Sequence, residues 1–276
     1  MSRRASLGLA SALAAPLLAA SLLAALLLAF ACAGSPARAD FIYGLNAGAG
    51  RGIHQIDTST GATTLVAATP SLTVSGSGGN GLAYDAANNA FYYVRQTGTT
   101  RFFMRNVAGT ETTLGAITAP GVVFSGTFYN GHYWAVRNGS ANTALRLTPA
   151  GAGFTQAILP IGLPVNANFG DIASTATGLT YAACSAGFFS FNLSTPGSPA
   201  TTVTLAPSNY QIAFGNTGLF AVQGTNIYSV NTTTGIRTFT AATAPGLSFN
   251  DLASIPAPGA AAVLGLAGLA GGRRRR

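Results

Sequence analysis

The sequence predicts an all-β fold, a five-bladed β-propeller, from three observations. A segment made of a strand, a polar turn and a second strand recurs five times between residues 40 and 255. Two further strand-like runs precede each copy, and the two ends of the repeat region complement one another. Valine, threonine, phenylalanine and tyrosine fall in short runs broken by Gly, Pro, Asn and Ser, with no helical period among them.

The recurring hairpins read "GIHQIDTSTGATTLVAA" (52–68), "FFMRNVAGTETTLGAI" (102–117), "ALRLTPAGAGFTQAIL" (144–159), "FFSFNLSTPGSPATTVTL" (188–205) and "NIYSVNTTTGIRTFTAA" (226–242). Their turn glycines, Gly61, Gly109, Gly151, Gly197 and Gly235, are spaced by 48, 42, 46 and 38 residues, close to the length of a propeller blade. Glycine suits hairpin turns that need positive φ. Ahead of each hairpin lies a shorter aromatic strand: "FIYGLN" (41–46), "FYYVR" (91–95), "YWAVR" (133–137), "LTYAAC" (179–184) and "LFAVQ" (219–223).

Ahead of those lie "NGLAYD" (80–85), "SGTFYN" (125–130), "GDIAST" (170–175), "YQIAFG" (210–215) and "NDLASI" (250–255). Each unit therefore has four strands. The chain opens on the second strand of a unit and closes on the first strand of one, so four units are whole and one is split. Joining the halves closes a ring and removes the open interface of a linear stack. A β-sandwich is the competing architecture, but it requires neither five copies in phase nor complementary ends.

The chain carries 14 basic residues against 6 acidic ones. All 14 are arginine, and seven of them lie in the terminal segments (Arg3, Arg4, Arg38 and Arg273 to Arg276). The body is close to neutral, its arginines are dispersed, and a nucleic-acid partner is not expected. Cys32 lies in the N-terminal apolar segment and Cys184 stands alone, so Cys184 reads as a small buried residue. His54 and His132 occupy unequal places in their units and have no metal-ligand spacing around them. The aromatic residues, Trp134, Phe188 and Phe189 among them, read as packing between blades.

The two ends read as addresses. Residues 1–39 have a basic start (Arg3, Arg4), an apolar stretch from about Leu7 to Ala31, and small residues at Ala37 and Ala39, the order of a helical secretory signal cut before Asp40 by signal peptidase. An uncleaved membrane anchor is the alternative. Residues 256–276 carry Pro256 and Pro258, an apolar run from Gly259 to Gly272, and the cluster Arg273, Arg274, Arg275 and Arg276, which stays on the cytoplasmic side. This tail resembles the PEP-CTERM sorting signal of exported bacterial proteins, with Pro256-Ala257-Pro258 in place of Pro-Glu-Pro. The resemblance implies a C-terminal hydrophobic helix handled by an exosortase-like membrane peptidase. It also implies export across the inner membrane to the cell surface or beyond, with membrane contact through this segment before it is cut.

For a site, the propeller reading points to the innermost strands. Asp171 and Asp251 occupy the same place in their units, with Gly81, Gly126 and Gln211 as the corresponding residues and Asn80 and Asn250 alongside. Two carboxylates with amide oxygens form a candidate small-ligand site and a weak calcium site. No catalytic set is apparent, and no cofactor is expected apart from that calcium. The expected function is a non-enzymatic binding or structural module for a surface polysaccharide or matrix protein. The alternative is an extracytoplasmic hydrolase or lyase acting at the channel mouth, with Asp171 or Asp251 as acid, base or ligand.

Overall fold

A computed structural model describes residues 40–46, 51–72, 78–96, 100–119, 121–137, 143–163 and 170–255. Both terminal segments, with Ala37, Ala39, Pro256, Pro258 and Arg273 to Arg276, lie outside the described residues. Among the described residues there is no α-helix, and no helix is long and apolar enough to cross a membrane.

Among the described residues, twenty strands form five four-stranded antiparallel sheets. Three belong to the first blade: β1 (Phe41–Asn46), β2 (Gly52–Asp57) and β3 (Thr63–Ala67). The second holds β4 (Gly79–Asp85), β5 (Ala90–Arg95), β6 (Arg101–Asn106) and β7 (Glu111–Ala116). The third holds β8 (Val123–Tyr129), β9 (His132–Arg137), β10 (Thr143–Ala150) and β11 (Gly153–Pro160). The fourth holds β12 (Gly170–Ser174), β13 (Leu179–Cys184), β14 (Gly187–Asn192) and β15 (Thr201–Thr204). The fifth holds β16 (Gln211–Phe214), β17 (Leu219–Gln223), β18 (Asn226–Val230) and β19 (Arg237–Ala242).

The last strand, β20 (Phe249–Ala253), returns to the first sheet and pairs with β1, setting Tyr43 opposite Ala253 and Leu45 opposite Asp251. The chain is thus a five-bladed β-propeller whose split blade is closed by its first and last described strands.

Apolar side chains form five buried clusters, and each is one blade-to-blade interface. Trp134 and Phe189 fill the interface between blades three and four, and Phe188 that between four and five. The closing interface joins Ile42, Ile56 and Leu252 of blade one to Ala213, Val222 and Ile227 of blade five, all but fully buried. Packing on both sheet faces explains how so few charges suffice, since inner strands need no solvated side. Cys184 is buried in the interface between blades three and four, its thiol donating to the Gly187 carbonyl at 3.5 Å.

The outermost strands differ. In β3, β7, β15 and β19 threonines stand on exposed or half-buried positions, which is where the threonine-rich second strand of each hairpin belongs. The hairpin turns are built as expected at Gly61, Gly151, Gly197 and Gly235, with φ of 75°, 58°, 93° and 71°. Gly109 is the exception: φ there is not positive, and its N–H closes a tight turn on the Asn106 carbonyl at 3.1 Å.

Asx side chains brace the turns at Gly61 and Gly235. Asp57 Oδ1 accepts from the N–H groups of Ser59 and Thr60, and Asn231 Oδ1 from those of Thr233 and Thr234. "DTST" and "NTTT" are therefore one turn design used twice.

Candidate functional site

The inner strands β4, β8, β12, β16 and β20 surround the axis, and they create two distinct environments along it. At the first, Asp171 and Asp251 are brought together as the sequence suggests, both fully buried. Their carboxyl groups hydrogen-bond to one another, which requires a shared proton. Burial drives both pKa values well above the usual carboxylate range, and the Asp171 charge raises Asp251 further, so the pair retains a proton at neutral pH.

The remaining acceptor capacity is spent on backbone N–H groups from four blades. Asp171 Oδ1 accepts from Ile172 at 2.7 Å, and its Oδ2 from Ile212 at 3.0 Å and Leu252 at 3.3 Å. Asp251 Oδ1 accepts from Leu252 at 2.8 Å, and its Oδ2 from Gly81 at 2.5 Å. Tyr133 completes the arrangement, donating its buried hydroxyl to the Gly81 carbonyl at 2.7 Å.

Glycine is required at two places here. Gly81 adopts φ of 66°, and a Cβ on Gly126 would stand 2.4 Å from the Gly81 carbonyl oxygen and 2.8 Å from the Tyr133 hydroxyl. The ladder shifts register between Val123 and Ser125, so Ser125 lies opposite Val136 and Gly126 opposite Ala135. The sequence alignment that equated Gly126 with Asp171 misses this irregularity by one residue, because an inserted bulge residue leaves no trace in composition.

Asn80 and Asn250 do not join the carboxyl pair. Asn80 Oδ1 accepts from the N–H of the next residue, Gly81, at 3.0 Å, whereas Asn250 Nδ2 donates to the Gly79 carbonyl at 3.2 Å, tying β20 to β4 near their starts. The four carboxyl oxygens all face N–H dipoles, an environment that favours an anion or a shared proton over a cation. Among the described residues, no group of three or more His, Cys, Asp or Glu side chains is placed to hold a metal ion.

The second environment is open. Where the inner strands end and turn outward, a cavity of about 460 Å³ is lined by residues from all five blades. Its hydroxyl and amide groups come from Thr127, Asn130, Ser174, Thr175, Asn216, Thr217 and Ser254; its apolar and aromatic wall comes from Tyr84, Phe128, Tyr129, Phe214 and Ile255. Among the described residues no charged side chain lines it, and neither Asp171 nor Asp251 does. These residues lie in no recognisable motif, because each blade contributes only two to five of them. The signal available in the sequence is positional: the mouth residues follow the repeated inner strand at its end, as in Tyr84, Phe128, Ser174, Phe214 and Ser254.

Both ends of the domain are fastened at this mouth. The Asp40 carboxylate accepts from the N–H groups of Asn216 at 2.5 Å and Thr217 at 2.8 Å and from the Thr217 hydroxyl, pinning a turn that lines the cavity. Ile255 donates its N–H to the Phe214 carbonyl at 2.9 Å, and Phe214 donates to the Ser254 hydroxyl at 2.9 Å.

No known family profile matches the chain, and no curated protein matches it. Solved structures do. The nidogen in complex with laminin, or its partner, supplies a chain with TM-score 0.51 at 12% identity, covering 78% of this chain and 82% of that one. A protein of unknown function from Bacteroides caccae aligns with TM-score 0.43 at 13% identity over 72% of each chain. A provisionally assigned gluconolactonase aligns with TM-score 0.46 at 14% identity over 70% of this chain and 68% of that one. At these identities the likeness is one of fold.

Proposed function

We propose that this chain is an exported propeller, displayed at the cell surface or released from it, that acts as a non-enzymatic binding module for a neutral, hydroxyl-rich ligand such as a surface polysaccharide. The observation that carries the reading is the cavity at the axial mouth, with hydroxyl and amide groups set among aromatic rings and no charged side chain among its described residues. Sugars are bound by that mixture, since their hydroxyls need donors and acceptors while their C–H faces pack on rings. The acid and base of a hydrolase would have to reach the ligand, whereas the aspartates of this axis are buried and engaged with backbone N–H groups.

Export rests on the order of residues 1–39 and sorting on that of 256–276. Signal peptidase acts after Ala39, and an exosortase-like peptidase recognises the Pro256-Ala257-Pro258 variant. The test is a glycan-array and pull-down screen of the purified protein, followed by Phe214→Ala and Ser254→Ala. Saturable binding that both variants weaken supports the reading; turnover of a soluble substrate favours an enzyme, and self-association alone favours a structural matrix protein.

A further inference from the structure

The two chain ends leave the propeller beside the cavity, and the spacing that follows is short. Ile255 lines the cavity and is held by its backbone bond to Phe214. Only Pro256, Ala257 and Pro258 separate it from the apolar run that begins at Gly259. From Ile255 to Gly259 a fully extended chain reaches at most about 14 Å.

The apolar run cannot supply slack. Its 14 residues, Gly259 to Gly272, end at four arginines that stay on the cytoplasmic side. As a helix it is about 21 Å long, against a hydrocarbon core of about 30 Å. Insertion therefore draws the prolines toward the interface instead of leaving them as a free linker. Asp40, the residue that follows the signal segment, is bonded to the same rim through Asn216 and Thr217, so either address, when attached, pulls on the same end of the ring.

We infer that, while the C-terminal segment is inserted in a membrane, the cavity mouth is held against the bilayer surface, so that ligand access depends on release of the tail. This rests on the sorting reading of the tail and on the mouth as the ligand site. It makes proteolytic processing a switch for binding as well as for location: the anchored form faces its site inward, and the cut form exposes it. The opposite end of the ring remains open to solvent in both.

The test uses the chain from Asp40 to Arg276, freed of residues 1–39, in phosphatidylcholine and phosphatidylglycerol vesicles, with single cysteines introduced at the exposed positions Ala176, on the mouth, and Asn226, at the far end of blade five. Each is labelled with a membrane-impermeant maleimide, the parent chain's labelling is subtracted, and each is normalised to its rate after detergent. Ala176→Cys is expected to react several-fold more slowly than Asn226→Cys. A Gly/Ser spacer of about 20 residues after Ile255, with a root-mean-square reach of about 25 Å, is expected to bring the two rates together.

Equal rates with the native spacing overturn the inference. So does slow labelling that persists with the long spacer, since tail length is then not the cause. Glycan binding measured on the same samples separates the two claims. Absence of binding even in detergent, with the labelling difference intact, removes the ligand reading and leaves the orientation standing.

Discussion

The two levels of the propeller axis differ in what surrounds their polar groups: closed protein at the inner level, open space at the mouth. At the inner level every carboxyl oxygen of Asp171 and Asp251 accepts a backbone N–H, and the pair retains a proton. At the mouth, the Thr127, Ser174 and Ser254 hydroxyls also bond within the ring, but they stand beside open space together with Asn130 and Asn216. Charge in the middle of this ring is therefore a fastening, joining inner strands that share no ladder. The residues that look most functional by type are the most structural by placement.

Variants that break the inner level carry the largest effects. Asp171→Ala orphans the N–H groups of Ile172 and Ile212 and leaves Asp251 without its partner, with an expected loss of about 3–5 kcal/mol in chemical denaturation. Gly126→Ala drives a methyl group into the Gly81 carbonyl and is expected to cost about 1–3 kcal/mol by overpacking.

The pH dependence follows from the raised carboxyl pKa values. Because folding raises them above their unfolded values, the stability they contribute is present in full below the unfolded pKa and is lost as pH rises through the folded one. The melting temperature should therefore be higher near about pH 5 than near about pH 9. Asp171→Asn combined with Asp251→Asn should flatten that slope; a slope unchanged in the double variant would assign it to other groups.

Smaller effects follow. Tyr133→Phe removes one buried hydrogen bond to Gly81 and is expected to cost about 1 kcal/mol. At the mouth the contrast sharpens: Ala176→Trp should change stability by no more than about 0.5 kcal/mol, as an exposed substitution, while abolishing glycan binding. A mouth variant that unfolds the protein as severely as Asp171→Ala would erase the distinction between the two levels.

Much of this was legible in the residues. Five in-phase hairpins and complementary ends lead to blade number and ring closure, because each repeat is a local unit whose strand order repeats with it. The pairing of Asp171 with Asp251 was also legible as equivalence within the repeat. Their environment was not, since burial and N–H donors from Ile212, Leu252 and Gly81 arise only when strands from different blades converge. The mouth was hidden for a related reason: Ser174 or Thr127 alone is an ordinary strand residue, and only the ring assembles such residues into a cavity. Asn80 and Asn250 lie on the inner strands but outside the carboxyl pair: Asn250 ties β20 to β4, and Asn80 bonds the N–H of its own neighbour Gly81.

The pairing of β1 with β20 also has a consequence in time. Gly44 must wait for Leu252, more than 200 positions later in the chain, before the first blade has its innermost strand. Blades two to five can each pair locally as they are made, whereas the closing contact pays the loop entropy of nearly the whole domain and belongs to the slow, non-local class of folding events. The last segment of the domain to be synthesised is the one that locks it, so a chain truncated before Phe249 would hold four finished sheets and no ring.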